Sequence, residues 1–145
     1  MAETTKKKHF KALHLILNIL WGFPITLIGG VVALALVIAG KKPFKYGGCW
    51  FFRVGKRGWG GLNLGLVSLI SPFASGVTMR HEFGHSIQNA MFGPLAIFLI
   101  HIPSWTRYWW FRLRTKLGLK NGEYYAIWFE RDATDLGEKY ITMYE

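Results

Sequence analysis

From residue 12 to residue 40 the chain reads ALHLILNILWGFPITLIGGVVALALVIAG, 29 residues with no formally charged side chain. At about 1.5 Å per residue, a helix of that length crosses a hydrocarbon core of roughly 30 Å. The run therefore predicts one N-terminal transmembrane helix. A cleaved signal peptide is the competing reading, because Lys6, Lys7, Lys8 and Lys11 precede the run. The run is too long for that, since the apolar part of a signal peptide spans roughly 7–15 residues. His14 and Asn18 lie close to the polar end, where snorkelling to the interface is the simpler expectation than a functional contact inside the bilayer. Pro24 is expected to kink the helix.

The composition fits a membrane setting. Of 145 residues, 51% are hydrophobic, 17% aromatic and 18% charged, a balance from which a water-soluble domain of this size is hard to build. The net charge of +10 is uneven: residues 121–145 hold two basic side chains against six acids, so the excess of cations lies entirely upstream. Lys41, Lys42, Lys45, Arg53, Lys56 and Arg57 follow the apolar run closely, and the positive-inside rule then only slightly favours an outside N-terminus. These cations suit anionic lipid headgroups. Nucleic acid is not an expected partner, because no helix-turn-helix or RNP-like pattern accompanies them. A lone cysteine, Cys49, excludes an internal disulfide and a CxxC zinc ribbon. The organisation read from this is a basic N-terminus with its membrane helix, residues 1–40, and a membrane-associated domain, residues 41–145.

Residues 46–70 are rich in aromatic and β-branched side chains punctuated by glycine, which is strand and turn chemistry. Residues 49–54 and 59–64 read as a small β-hairpin turning at Gly55-Lys56-Arg57-Gly58. Its edge could receive an extended peptide by strand addition; the plainer alternative is a hairpin resting its Trp and Phe at the membrane interface. Residues 71–78 read as a loop that enters a helix with Thr78 as N-cap.

That helix carries the chemistry. His81-Glu82-Phe83-Gly84-His85 is an HExxH motif, and the i, i+4 spacing sets both imidazoles on one helix face, where they can share one Zn²⁺. Glu82 is then the general base that takes a proton from water. The alternative is a His pair that merely faces solvent at the membrane surface. A hydrolytic zinc site needs a third protein ligand, and Glu130, flanked by Trp128, Phe129 and Ala133 in an apparently helical stretch begun by Asn121-Gly122, is the candidate, with Asp135 as runner-up.

One spanning helix over residues 86–105 would put HExxH and Glu130 on opposite sides, because residues 107–120 carry five cations and cannot cross back. Gly93-Pro94 offers a break, so residues 86–92 and 95–105 are expected as a re-entrant hairpin, with a second membrane helix as the alternative. His101 in the second arm reads as an interfacial histidine, or else as a transition-state donor. Gln88 and Asn89 either orient ligand imidazoles or simply pack. Residues 107–116 form a basic aromatic interfacial anchor, and Tyr124 and Tyr125 pack or supply a hydroxyl to a developing oxyanion.

HEFGH resembles the motif of the intramembrane site-2 proteases, and Glu130-x-x-Ala133 followed by Leu136-Gly137 resembles the ligand helix of membrane gluzincins, although Thr134 stands where those usually have Asp. A wider likeness, over about residues 46–140, is to small bacterial membrane proteins with patterns like YGxC, HExGHxIQN, FGP, IPS and WFExxAT. Here these are Tyr46 to Cys49, His81 to Asn89, Phe92 to Pro94, Ile102 to Ser104 and Trp128 to Thr134. The resemblance implies a zinc peptidase of a bacterial cytoplasmic membrane. The expectation is thus a mainly α membrane protein: a transmembrane helix, a small hairpin, the HExxH helix with its re-entrant element, and a C-terminal helix. Its expected function is a zinc metallopeptidase with His81, His85 and Glu130 as ligands and Glu82 as catalytic base, cutting a peptide or membrane-protein substrate near the membrane surface. The rival is a non-enzymatic membrane protein that binds lipid or a protein partner through its basic aromatic segments. Nothing in the sequence selects an oligomeric state.

Overall fold

The computed structural model describes residues 2–123 and 126–145. The uncharged N-terminal run is bent rather than straight. Helix α1 (Ala2–Ile16) continues through a π-helical turn (Leu17–Trp21) to Gly22, where the chain turns by 93° into α2 (Phe23–Ile38). The bend falls at Gly22 because the Asn89 side chain packs there, occupying the place of a Cβ and donating to the Gly22 carbonyl at 3.2 Å. Pro24 sits in the first turn of α2, where its missing amide removes no helical hydrogen bond. Contrary to expectation, His14 and Asn18 do not snorkel: they are 3% and 0% exposed and bond to Ser86 and Tyr144 within the protein.

The sheet also departs from the expected hairpin. Strands β1 (Phe44–Tyr46), β2 (Cys49–Arg53), β3 (Gly61–Leu64) and β4 (Val67–Ile70) lie in the order β1-β2-β4-β3. Residues 49–53 and 61–64 are strands, but they do not pair with each other; β4 lies between them, parallel to β2 and antiparallel to β3. The tight turns are elsewhere. Gly47 and Gly48, both at positive φ, join β1 to β2 in the two-residue geometry that a hairpin favours, and Gly65-Leu66 joins β3 to β4. Residues 54–60 form a longer connection instead, held by the Trp59 indole donating to the Val54 carbonyl at 2.8 Å. Strands β1 and β3 are the two edges, and among the described residues no strand pairs with the outer side of β3.

Helix α3 (Gly76–Phe92) runs through the middle, with every residue from His81 to Ala90 buried. Its N-cap position is Ser75, so Thr78 lies inside the first turn and does not cap. One face of α3 packs on Cys49, Phe51 and Ile70 of the sheet. The helix ends at Gly93-Pro94 as anticipated: a 3₁₀ turn (Gly93–Leu95) and a π-helical turn (Ile97–His101) lead into α4 (Ile102–Lys116), and the chain reverses by 118°. Helix α5 (Trp128–Ile141) begins later than its composition suggested, after an extended Ile127, so Glu130 falls in its first turn rather than its middle.

Helices α3 and α5 approach closely at two glycines. A methyl group at Gly84 would collide with the Ala133 carbonyl, and one at Gly137 with the Arg80 carbonyl. Only glycine permits that backbone spacing, and the spacing brings Glu130 to HExxH. Among the described residues no single helix is long and apolar enough to cross a membrane; α1 with α2, and α3 with α4, reach the length and composition only as bent pairs. Leu27, Val31, Leu34 and Ile38 of α2 are nonetheless largely exposed.

Candidate metal centre

His81 and His85, one helical turn apart on α3, present ring nitrogens to the Glu130 carboxylate of α5. Glu130 Oε2 lies 3.0 Å from His81 Nε2 and 3.5 Å from His85 Nε2. One ligand atom from each of the three residues lies within 4.8 Å of the others, and all three residues are buried. The group could hold a metal ion. Asp135 lines the adjoining cavity but is not part of this convergent group.

The surrounding hydrogen bonds favour that use. Thr134 Oγ1 donates to the Glu130 carbonyl at 3.2 Å, so towards His81 Nδ1, 3.0 Å away, it is the acceptor. Gln88 spends its amide protons on the Phe129 carbonyl and Asp132 Oδ2, both at 2.8 Å, which leaves its oxygen to accept from His85 Nδ1 at 2.8 Å. A proton is thereby assigned to Nδ1 of each ring, and Nε2 of each ring faces the Glu130 carboxylate. Ser104 Oγ donates to Glu130 Oε1 at 2.6 Å. Burial pushes the Glu130 carboxyl up, but the His81 and His85 rings and the Ser104 hydroxyl outweigh it and hold this carboxyl well below the usual carboxylate range. Two imidazole nitrogens and a carboxylate oxygen held together away from water are a donor set that could take up a metal ion.

Glu82, one residue after His81, is 4% exposed, and among the described residues its Oε2 has no hydrogen-bond partner. A buried carboxylate oxygen is seldom left so unless it serves chemistry. The place of a Cβ on Gly61 of β3 lies against the Glu82 carboxylate, so this edge strand runs beside it. His81, Glu82 and His85 open onto a cavity of about 1480 Å³, lined in part by residues of β3 and α4. His101 lines this cavity too, with its Nε2 buried and unpartnered, a placement different from the interfacial one expected for it. Asn89 bonds to Asn18 and Gly22, away from the ligands, whereas Gln88 orients one of them. Tyr124 and Tyr125 lie outside the described residues.

In the sequence, Ser104 and Thr134 have no site role beyond their places in the IPS and WFExxAT patterns; Thr134 carries a further signal, since it stands one helical turn after Glu130. Comparison with known proteins adds no name: no family model matches the chain, and neither a curated protein nor a solved structure matches it.

Proposed function

We propose that the protein is a membrane-associated zinc metallopeptidase in which His81, His85 and Glu130 hold the metal and Glu82 is the catalytic base. The observation that carries this reading is the convergence of the Nε2 atoms of His81 and His85 on the Glu130 carboxylate, beside a Glu82 Oε2 with no partner among the described residues. Zinc, when bound, supplies Lewis acidity and a water acidic enough to lose its proton near neutral pH. Glu82 Oε2 would accept a proton from the attacking water as its oxygen bonds to the peptide carbonyl carbon, and would return it to the amine nitrogen as the C–N bond breaks. The outer edge of β3 lies where an extended peptide can add as a further strand, its backbone amides and carbonyls pairing with those of residues 61–64. His101 Nε2 is available to hydrogen-bond the substrate carbonyl. Thr134 and Gln88 keep the imidazoles in the ligating tautomer.

A membrane setting is supported by the exposed apolar side chains of α2, which lie between the lysines of residues 6–11 and Lys41-Lys42. With bends of 93° and 118°, shallow embedding by bent pairs is favoured over a straight span. The same exposed surface favours the second reading, a non-enzymatic protein that binds lipid or a partner. The two part in one experiment: a fluorogenic peptide library offered to zinc-loaded protein in detergent micelles. Cleavage by the wild type and its loss in Glu82→Gln, with zinc retained, supports the peptidase; equal cleavage by both defeats the assigned mechanism. If His81→Ala and His85→Ala leave cellular function intact while Lys-to-Ala changes in the basic segments abolish it, the lipid- or partner-binding reading stands instead.

A further inference from the structure

On α4, Trp105, Tyr108, Trp109, Arg112 and Lys116 follow one another at i, i+3, i+4, i+7 and i+11, the spacing of a single helix face. All five line the cavity onto which His81, Glu82 and His85 open, as do Gly61, Leu62 and Asn63 of β3. The start of this face is fixed beside the metal group by the Ser104 to Glu130 hydrogen bond. Arg112 is held in place by its neighbours: its Nη1 donates to the Tyr108 hydroxyl at 2.9 Å, and its guanidinium lies 5.6 Å from the Trp109 ring centre. Among the described residues no carboxylate pairs with Arg112 or Lys116. Glu82 and Glu130 belong to the metal centre, and Arg131 and Asp135 of α5 offset each other in formal charge, so the far part of the cavity wall is cationic.

We propose that this face of α4 selects substrates that carry an acidic side chain about four to five residues from the bond that is cut. The spacing follows from geometry. At about 1.5 Å per residue along a helix, Arg112 and Lys116 stand roughly 12 and 18 Å from Ser104, and an extended peptide advances about 3.3 Å per residue. The proposal rests on the peptidase reading. An anionic lipid is the less favoured occupant, because Arg107, Trp110 and Arg114, which do not line the cavity, already give α4 an outer face suited to headgroups.

The test is fluorescence polarisation with labelled peptides that carry a hydroxamate as zinc anchor, at either end, and Glu, Ala or Lys at each of the next seven positions, bound to the zinc-loaded protein in detergent. Glutamate at the fourth or fifth position is expected to tighten binding about five- to tenfold over alanine, since two partly exposed ion pairs each contribute modestly. Lysine there should weaken binding. The double variant Arg112→Glu, Lys116→Glu should invert that order, while Arg114→Glu on the outer face should keep it. The milder Arg112→Gln and Lys116→Gln should each lose about half of the preference on a logarithmic scale, which covers the case of a double variant that does not fold. Equal binding of the three peptide series overturns the proposal and leaves the zinc reading intact. Failure of even the alanine series to bind overturns both. If the double variant loses binding to phosphatidylglycerol vesicles while its peptide preference stays that of the wild type, the face belongs to lipid and the proposal falls.

Discussion

Two buried polar clusters, each built around histidine, lie along the same helix α3, and they differ in how completely their hydrogen bonds close. In one, Ser86 Oγ donates to the Phe83 carbonyl and is left to accept from His14 Nε2 at 2.9 Å and Cys49 Sγ at 3.3 Å, while the Tyr144 hydroxyl lies 2.6 Å from His14 Nδ1. Both nitrogens of His14 are thus used, and Asn18 adds bonds to the His14 and Ser86 carbonyls. Only the Asn89 Oδ1 atom nearby lacks a partner. In the other cluster, the outer nitrogens of His81 and His85 are matched and the inner nitrogens meet on one oxygen of Glu130, while among the described residues Glu82 Oε2 and His101 Nε2 have no partner. A closed network fastens helix to helix; an open one beside a cavity holds capacity for something that binds. His14 of α1 thus belongs to a closed network against α3, whereas His81 and His85 of α3 belong to the group that could hold a metal ion.

The sharpest way to break this contrast is Glu82→Gln, which keeps size and removes the base of the proposed mechanism. Peptide hydrolysis should fall by about 10²–10⁴-fold in the variant, with zinc content by atomic absorption unchanged. Next comes Gln88→Ala, which frees His85 to rotate and to change tautomer. Zinc affinity, measured by competition with a chromogenic chelator, should weaken about 10- to 100-fold; an unchanged affinity would mean that the metal does not use His85 Nε2.

His14→Ala sharpens the other side of the comparison. It strands Ser86 and Tyr144 in a buried setting and should lower stability by about 1–3 kcal/mol in chemical denaturation, while zinc stoichiometry in the folded protein stays that of the wild type. A loss of zinc in folded His14→Ala would join the two clusters into one. The smallest effect is expected at Cys49. Burial pushes its thiol up to about 12, with the Ser86 contact opposing only in part. Below that value the thiol stays protonated, so a maleimide at pH 8 should leave it unmodified in the native protein and label it after unfolding.

The open cluster was more legible in the sequence than the closed one. HExxH is read from i, i+4 spacing alone, and Glu130 from an acid set among Trp128, Phe129 and Ala133, so the metal group follows from local pattern plus one long-range guess. The placing of α5 against α3 rests on Gly84 and Gly137, whose need for close approach is invisible until the two helices are seen together. His14 and Asn18 were misread because an apolar run sets the expectation of lipid around them, whereas their partners lie in distant stretches of the chain. The hairpin was misread for a related reason. The glycines at 55 and 58 suggested a tight hairpin turn where the chain makes a longer connection, and the parallel pairing of β2 with β4 is non-local and leaves no mark on either strand.

The central claim, that the open cluster is a metal centre, is met most directly by counting zinc per chain in detergent-purified wild type and in Glu130→Ala of matched folding. The account predicts about one zinc in the wild type, as a three-ligand tetrahedral site holds, and a clear loss in the variant. No zinc in the wild type after controlled reloading, or equal zinc in both, would contradict it.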